Sequence, residues 1–487
     1  MPHSEQLSSH ALYLALDQGG HASRALVFDS RGRCLTQASA GCDVRRSDGD
    51  RVEQDADAIV NGLRDCILRV AAELGARVND IVAAALVTQR SSVVCWDRAS
   101  GAALTPILSW QDRRAQDWLR GFDNAAGRIH ATTGLMLSAH YGAGKLRWCL
   151  DQVPAVQAAA QAGRLACGPL AAFLLFQLLS ERPLLVDSGN AARTLLWNRH
   201  TRDWDPELAA LFGVPMDYLP RCVPNRHAFG TLLVAQQRVQ LTLCHGDQPA
   251  ALFAAGMPRA DCLYINIGTG GFVQRVLDHD PGAVPGLLSA LILDEDARSC
   301  YALEGTVNGA GSALDAISGE LGIDTATLAV QLPLWLEQCI TPPLFLNGVS
   351  GLGAPFWVAD FASRFIGTGT VAERLVAVVE SIVFLLQSNI EAIERTVFPA
   401  TDIIVSGGLA TLDGLCHRLA ALSGRPVLRA TQTEASARGA AWLLADQTNA
   451  WMDADAGERF VPVDDGALRE RYRRWRAALE AQIDGGA

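Results

Sequence analysis

The chain begins with short apolar runs that are separated by polar segments rich in glycine. Apolar residues at 12–16 and 25–28 flank the segment 17–23, a pattern that predicts two strands joined by a turn. Apolar residues then recur at helical spacing over 56–77, and the apolar run 81–87 predicts a buried strand. Strands that alternate with helices indicate an α/β fold with mixed, largely parallel sheets.

The same plan returns in the second half of the chain. An apolar run at 263–267 leads into the glycines of 268–271, and another apolar segment follows them. A long helical pattern covers 371–397, a short strand pattern covers 403–405, and an alanine-rich helical pattern covers 435–445. The repeated plan predicts two domains built on a common α/β unit.

The length supports this division, since 487 residues exceed what one hydrophobic core usually serves. With the join near 254–256, we expect an N-terminal domain over 11–255 and a C-terminal domain over 256–450. Residues 451–487 then form a tail whose apolar residues recur at helical spacing, which predicts a surface helix with its arginines in water. The segment 278–299 shows no clear pattern.

The composition argues against several classes of protein. A chain with a net charge of −11 lacks the basic stripe that a nucleic-acid surface needs. The most apolar stretch, 165–179, is too short to span a bilayer, and the polar first ten residues do not resemble a signal peptide. Twelve scattered cysteines without metal-site spacing favour a reducing cytoplasm. We therefore expect a cytoplasmic protein that binds neither nucleic acid nor membrane, with a homodimer as one assembly.

A candidate catalytic carboxylate follows a glycine near the middle of the chain. Asp247 comes directly after Gly246 and precedes an apolar run that predicts a helix start. Alone, this pattern indicates a turn with a capping side chain. Together with three strand-to-glycine turns elsewhere, it indicates phosphoryl transfer to an alcohol, because turn N–H groups bind phosphates and the carboxylate accepts the hydroxyl proton.

Three further side chains allow two interpretations each. Trp110 is a platform for a sugar or a core tryptophan, and Arg90 is a substrate ligand or a charge at a strand end. His245 either tunes the neighbouring carboxylate or caps a turn. The residues alone do not decide between these interpretations.

Nine short segments, in this order, resemble the FGGY carbohydrate kinases, and within that family the glycerol kinases most. The segments lie at 15–19, 88–90, 109–114, 190–194, 246–248, 268–270, 302–305, 351–357 and 406–408. The resemblance implies the actin/hexokinase-type ATPase fold, an α/β fold with two ribonuclease-H-like domains and a deep interdomain cleft. It also implies an ATP- and Mg²⁺-dependent kinase that phosphorylates a primary hydroxyl of a small polyol or sugar.

The resemblance further implies roles for individual residues. Asp247 would be the catalytic base, and Asp17 would hold the water shell of Mg²⁺. The residues that would contact the acceptor substrate are Arg90, Ser91, Trp110, Asp112, His140, Gln248 and Phe272. The residues that would bind the nucleotide are Gly19, Gly20, His21, Ser23, Arg24, Gly268, Thr269, Gly311, Asp315, Gly407 and Gly408.

Several positions depart from the glycerol-kinase pattern. Ser91 stands where those enzymes have glutamate, Gly20-His21 replaces two threonines, and His140 replaces tyrosine. Asp112, in the segment 110–112, resembles the pattern of the ketose kinases of the family more than that of the glycerol kinases. These departures indicate an acceptor longer than glycerol. They also leave open the alternative of a non-catalytic protein that senses a sugar or a nucleotide, although the retained carboxylates and glycines favour the kinase.

Overall fold

A computed structural model describes residues 10–295, 298–339, 341–430, 434–446, 451 and 457–485. The chain forms two compact units, each made of three segments. The first unit consists of Met1–Pro258, Ala290–Tyr301 and Gln432–Ala454. The second unit consists of Arg259–Ser289, Ala302–Thr431 and Asp455–Ala487.

These units differ from two continuous halves of the chain. The main division after Pro258 lies close to the predicted join, but residues 290–301 and 432–454 return to the first unit. Most of the predicted tail, Asp455–Ala487, belongs to the second unit, whereas Trp451 at its start belongs to the first. Close packing accounts for one of the returns: Gly439 lies so near the carbonyl of Ala250 that any side chain at position 439 would collide with it.

The strands are numbered in chain order. Their bounds are β1 Leu12–Gln18, β2 Ala22–Asp29, β3 Cys34–Gly41, β4 Val44–Ser47, β5 Arg51–Gln54, β6 Ile81–Thr88, β7 Val93–Asp97, β8 Ile107–Leu108, β9 Leu165–Pro169, β10 Leu185–Asp187, β11 Trp197–Asn198, β12 Asp203–Trp204, β13 Arg221–Val223, β14 Arg226–Val234, β15 Gln237–Gly246, β16 Cys262–Ile267, β17 Gly271–Leu277, β18 Leu288–Glu295, β19 Arg298–Val307, β20 Leu344–Leu346, β21 Arg364–Ile366, β22 Asp402–Ser406, β23 Val427–Arg429 and β24 Glu458–Phe460.

The helices are numbered in the same way, and four short 3₁₀ turns accompany them. The α-helices are α1 Ala56–Leu74, α2 Gln116–Leu119, α3 Ala126–Thr133, α4 Gly142–Gln152, α5 Pro154–Gln161, α6 Leu170–Leu178, α7 Ser188–Ala191, α8 Pro206–Phe212, α9 Asp247–Ala251, α10 Gly311–Glu320, α11 Thr325–Gln338, α12 Val371–Glu394, α13 Asp413–Ser423, α14 Ala435–Leu444 and α15 Gly466–Gly485. The 3₁₀ turns cover Gly75–Asp80, Arg120–Ala125, Met216–Tyr218 and Gly408–Thr411.

The main sheet of the first unit has six strands in the order β14-β15-β6-β1-β2-β3. β1, β2 and β3 are antiparallel neighbours, whereas β1 and β15 both run parallel to β6. Every residue of β1 is buried, as expected for a central strand covered on both faces. The strand–turn–strand predicted at the start of the chain and the strand predicted over 81–87 are both present. A second, five-stranded sheet has the order β4-β5-β8-β7-β9.

The main sheet of the second unit repeats this arrangement. Its seven strands have the order β18-β19-β17-β16-β22-β23-β24. β16 and β17 form an antiparallel pair, β22 runs parallel to β16, and β23 runs parallel to β22. The hairpin followed by parallel strands matches β1, β2, β6 and β15, so the internal repeat indicated by the sequence is present in the fold.

Two helices of the second unit build much of its core. Within the described residues, α12 is the one helix that is long and apolar enough to cross a membrane, and 94% of its most apolar stretch is buried inside the protein. A capping box between Thr370 and Glu373 fixes its start. α15 buries one face, which includes Tyr472 and Trp475, in the same core, as its helical spacing predicted.

Candidate active site

The carboxyl ends of three neighbouring strands meet at one edge of the first unit's main sheet. The register places Gln18 of β1 and Gly246 of β15 level with Thr88 of β6. This edge therefore carries the predicted metal residue Asp17 and, directly after Gly246, the predicted base Asp247. In α/β sheets, ligands bind outside the carboxyl ends of parallel strands.

Arg90 orients the segment that carries Asp247. Arg90 Nη2 donates a hydrogen bond of 2.9 Å to Gln248 Oε1, and Gln248 N donates one of 2.7 Å to Asp247 Oδ1. The arginine side chain lies directly over Gly246, where any Cβ would collide with it, so this contact requires glycine. Burial raises the pKa of the Asp247 carboxyl, and the positive charge of Arg90 opposes that rise.

Asp17 lies inside β1, whereas the sequence predicted it in the turn, and it is only 4% exposed. Arg24 Nη1 is 3.5 Å from Asp17 Oδ2 and 3.5 Å from Glu434 Oε2. Burial, followed by the negative charge of Asp247, raises the pKa of Asp17 to about 7. A bound cation stabilises a carboxylate whose negative charge is disfavoured in this way.

Gln54 joins the first glycine turn to the neighbouring strand end. Gln54 Nε2 donates a hydrogen bond of 2.9 Å to Gly20 O, and Gln89 Nε2 donates one of 2.6 Å to Gln54 Oε1. Gly19 N closes the turn with a 3.0 Å bond to the carbonyl three residues further on. Gly19 and Gly20 are partly exposed and His21 is exposed, so the backbone of this turn is accessible to a ligand.

An aromatic group borders the same edge. The rings of Trp110 and His140, both partly exposed, are 5.5 Å apart, and those of His140 and Tyr141 are 5.0 Å apart. The Arg193 guanidinium lies 5.8 Å from the centre of the Tyr141 ring. Burial and then the positive charge of Arg113 hold the pKa of His140 well below its ordinary value, so its imidazole is neutral near pH 7.

Asp112 does not face a substrate, which corrects the prediction made for it. Its carboxylate is completely buried and accepts hydrogen bonds from Val52 N at 2.8 Å, from Arg114 Nε at 2.9 Å and from Arg114 Nη2 at 2.7 Å. Arg114 also donates to Glu53 at 2.5 Å and lies over the Trp148 ring at 4.4 Å. Asp112 therefore holds an internal ion pair and cannot replace the glutamate that is missing after Arg90.

Two serines that were predicted as site residues, Ser23 and Ser91, have buried side chains. Ser23 is 1% exposed, and its Oγ donates to Gln18 Oε1 at 2.5 Å. Ser91 is 2% exposed with a left-handed φ of 63°, and its hydroxyl has no hydrogen-bond partner in the part of the chain that the structure describes. Because both hydroxyls are buried, the binding of nucleotide by Ser23 and of the acceptor by Ser91 stays a prediction.

In the second unit, glycines pack closely at the ends of strands. Gly311 N donates a hydrogen bond of 2.9 Å to Gly268 O, which seats the start of α10 on the turn after β16. A Cβ at Gly311 would lie 2.8 Å from that same oxygen, and one at Gly407, whose φ is 93°, would lie 2.6 Å from Ile267 O. The backbone N–H groups of such turns and helix starts are the ones that bind phosphates.

The other predicted residues of the second unit lie on separate elements. Thr269 is in the turn after β16, Gly408 begins a 3₁₀ turn, and Asp315 is exposed on α10. Phe272 is partly exposed on β17. Since Phe272 belongs to a different unit from the remaining substrate residues, its contact with the acceptor stays a prediction.

Two cationic side chains of the first unit, Arg193 and Lys145, lie near the predicted site residues but were not selected in the sequence analysis. Arg193 is 4% exposed, and its charge lowers the pKa of Asp247. Arg193 lies in the segment 190–194, and the resemblance of that segment to the family could have identified it. Lys145 is completely buried in α4 and donates to three backbone carbonyls.

His245 is a core residue: burial lowers its pKa to about 4, so it stays neutral near pH 7.

Comparison with known proteins gives matches along nearly the whole chain. The model of the N-terminal domain of the FGGY family of carbohydrate kinases matches residues 12–254, and that of the C-terminal domain matches residues 263–446. The chain is 33% identical to a glycerol kinase of Aromatoleum aromaticum, covering 96% of this chain and 98% of that protein. It is 34% identical to a glycerol kinase of Alkalilimnicola ehrlichii, covering 89% of each.

Solved structures share the fold at lower identity. Plasmodium falciparum glycerol kinase with ADP has a TM-score of 0.86 at 21% identity, covering 97% of this chain and 98% of that one. Xylulose kinase from Rhodospirillum rubrum has a TM-score of 0.84 at 20% identity, with 97% and 98% coverage. Gluconate kinase from Lactobacillus acidophilus has a TM-score of 0.80 at 18% identity, with 97% of each chain covered. The predicted fold class, two α/β domains of the actin/hexokinase type, is confirmed.

Proposed function

Because the chain belongs to the FGGY family of carbohydrate kinases, we propose that it transfers the γ-phosphoryl group of ATP to a primary hydroxyl of a small polyol or sugar. One observation carries the proposal: Asp247 and Arg90 lie at the sheet edge that also holds Asp17 and a glycine turn. A base, donors that orient hydroxyls and an anion-binding turn are what phosphoryl transfer to an alcohol needs.

Asp247 is the group that accepts the hydroxyl proton. The bond from Gln248 N fixes one oxygen of its carboxylate, and the other oxygen would accept the proton. The positive charge of Arg90 favours the ionised carboxylate and so opposes the larger rise in the pKa of Asp247 that burial causes. Arg90, Trp110, His140 and Gln248, here called the acceptor residues, would bind the hydroxyls and the carbon face of the substrate.

The surroundings of Asp17 fit a hydrated Mg²⁺ ion that arrives with ATP. Among the described residues, no three His, Cys, Asp or Glu side chains gather as ligands of one ion, which agrees with an ion held through water and phosphate oxygens. When bound, Mg²⁺ neutralises charge that develops on the phosphates. Asp17 would hold its water shell. Arg24, whose side chain is 38% exposed, would face the γ-phosphate beside Gly19 to His21.

The nucleotide would bind to the glycine segments of the second unit. Gly268 and Thr269 lie in the turn at the end of β16, next to the first turn of α10 at Gly311, and the Gly268 N–H closes this turn on Gly270 O at 2.8 Å. Gly407 and Gly408 follow the neighbouring strand β22. Glycines at strand ends that meet a helix start support binding of phosphates.

A non-catalytic sensor on the same fold is the alternative, and His21 in the phosphate turn motivates it. A sensor has no need of a base, so the fixed Asp247 disfavours it. The deciding experiment is a coupled ADP-release assay over a panel of polyols, ketoses and sugar acids, with and without Mg²⁺. ADP release that depends on one of these acceptors supports the kinase, whereas binding without release supports the sensor.

We expect glycerol to be a poor acceptor. No carboxylate follows Arg90, the hydroxyl of Ser91 is buried, and Asp112 is engaged by Arg114. Loss of one charge-assisted hydrogen bond costs roughly 1.5–3 kcal/mol, or about 10–150-fold in binding. An acceptor of about four to six carbons can make up this loss with further hydroxyls or a carboxylate of its own.

The measurement is kcat/KM for glycerol against longer polyols, ketoses and sugar acids in the same ADP-release assay. The KM for ATP, determined with each acceptor at saturation, serves as the internal control and should vary little. Glycerol that is phosphorylated as efficiently as every longer compound would contradict the argument from the missing carboxylate.

We also propose that the protein acts in the cytoplasm. Support comes from the burial of its most apolar helix and from the absence of disulfides among the described cysteines. The relatives named above are kinases of glycerol, xylulose and gluconate, which supports a small-molecule acceptor.

A further inference from the structure

Lys145 is a fully buried lysine on α4 of the first unit. Its Nζ donates hydrogen bonds to three backbone carbonyls: 2.7 Å to Ser91 O, 2.9 Å to Ser109 O and 2.8 Å to His140 O. An ammonium group has three N–H donors. The three bonds therefore use all of them.

Each of the three carbonyls belongs to a segment that carries an acceptor residue. Ser91 directly follows Arg90, Ser109 directly precedes Trp110, and His140 is itself an acceptor residue. Lys145 is 54, 36 and 5 residues away from its three partners along the chain. One side chain thus joins three loops that the sequence keeps apart.

The backbone of Ser91 shows why this junction matters. Its φ of 63° is unfavourable for a residue that carries a side chain. The Ser91 hydroxyl makes no hydrogen bond to any described residue, whereas the carbonyl is held by Lys145. Without that bond, Ser91 can relax and turn the adjacent Arg90 away from Gln248.

We propose that Lys145 is a positioning residue that sets the spacing of Arg90, Trp110 and His140 and thereby determines affinity for the acceptor substrate. The proposal rests on the proposed function, since it takes these three residues as parts of the acceptor site. Lys145 itself does not touch the substrate, because its donors are used and its side chain is completely buried.

Burial of the Lys145 ammonium is costly unless its donors have partners. The three carbonyls are those partners, so the bonds contribute to stability as well as to the spacing of the loops. Methionine has no N–H donor and would leave the three carbonyls without this partner. The acceptor KM, measured together with the unfolding temperature, separates positioning from stability.

Burial also makes the ammonium sensitive to pH. Desolvation lowers the pKa of Lys145 to about 7, against the attraction of Asp112, while Arg113 and Arg114 disfavour the charge. The Cys149 thiol and the neutral His140 ring are the other titratable groups near it. The neutral amine has only two N–H donors for three carbonyls, so deprotonation would release one loop.

The test is Lys145→Met, with Leu146→Ala as the matched control on the same helix. Lys145→Met should raise the acceptor KM at least about tenfold, as expected for loss of more than about 1.4 kcal/mol in binding, while the KM for ATP changes less than about twofold. Leu146→Ala leaves a cavity and lowers the unfolding temperature, but it should leave the acceptor KM unchanged. An acceptor KM for Lys145→Met within about twofold of wild type overturns the proposal.

Lys145→Arg keeps the charge and decides the matter if the methionine variant does not fold. The guanidinium stays protonated at all working pH values. The wild-type acceptor KM should therefore rise between about pH 6 and about pH 8, and that rise should be absent in Lys145→Arg. Identical pH profiles of acceptor KM in the two proteins overturn the proposal.

Failure of the proposed kinase function can be distinguished from failure of the proposal for Lys145. If the wild type releases no ADP with any acceptor, transfer is disproved. Binding of the same polyols and sugars, measured as the increase they cause in unfolding temperature, then still tests Lys145. Acceptor-induced increases of equal size in the wild type and in Lys145→Met would overturn the positioning role. If only Lys145→Arg folds, increases that shrink equally in both proteins between about pH 6 and about pH 8 would overturn it.

Discussion

Asp247→Asn is expected to lower kcat by about 10²–10⁴-fold, the usual contribution of a general base. Asparagine keeps the size of the side chain and can still accept the 2.7 Å bond from Gln248 N. It cannot take the proton of the acceptor hydroxyl. The acceptor KM should change far less than kcat, because the acceptor residues keep their places. ADP release at saturating substrates measures the loss of kcat.

Asp97→Asn is the matched control for this prediction. Asp97 ends β7, the strand that follows Arg90 and Ser91, and is 9% exposed. Its carboxylate accepts hydrogen bonds from Ala99 N at 2.8 Å and Ser100 N at 3.0 Å. Its replacement should lower the unfolding temperature while leaving kcat near the wild-type value. Wild-type turnover in Asp247→Asn would remove Asp247 from the mechanism.

Much of the fold could be predicted because glycine turns mark where strands end. β1 and β2, and later β16 and β17, are apolar runs on either side of a short glycine-containing turn, so each pair stands out from the hydrophobic pattern. β18 was missed for a physical reason. Seven of its eight residues are buried, so both faces are covered, and the alternation that identifies a half-exposed strand is lacking.

The division into units could be predicted only in part. Hydrophobic periodicity identifies α14 as a helix, but it does not reveal which sheet the helix covers. That choice depends on close backbone packing between Gly439 and Ala250, residues that are far apart in sequence. Segments that return to an earlier unit leave no mark in a local pattern.

Residues of the site could be predicted where the end of a strand fixes their position. They could not be predicted where a hydrogen-bond partner from a distant part of the chain fixes the direction of the side chain. Asp17, Arg90 and Asp247 lie at one sheet edge because their strands are parallel neighbours. Asp112 belongs to a matching motif, yet its carboxylate is bound by Arg114 and by the N–H of Val52. Which way a side chain points depends on such distant partners, so the motif placed Asp112 near the site without giving its role.

The second large effect is expected for Asp17→Asn, which should abolish Mg²⁺-dependent transfer while leaving the protein folded. Asparagine has almost the same size but lacks the charge that would hold the metal's water shell. Arg24 then loses its partner at 3.5 Å and keeps the Glu434 carboxylate. Phosphoryl transfer measured over a wide range of Mg²⁺ concentrations checks the first part. Full turnover in the variant, or activity without Mg²⁺, would contradict a metal role for Asp17.

The same variant should be more stable than the wild type at neutral and alkaline pH. Burial and Asp247 raise the pKa of Asp17 to about 7, so the folded chain binds this proton more tightly than the unfolded chain does. Wild-type stability therefore falls as the pH rises from about 4 to about 7, and the cost persists above that window. A shift of about three pKa units corresponds to roughly 4 kcal/mol at most. Asparagine does not titrate, so Asp17→Asn should gain more than about 1 kcal/mol over the wild type in urea unfolding at about pH 8 and little at about pH 4. Equal stabilities of the two proteins at both pH values would show that the Asp17 carboxylate carries no such cost.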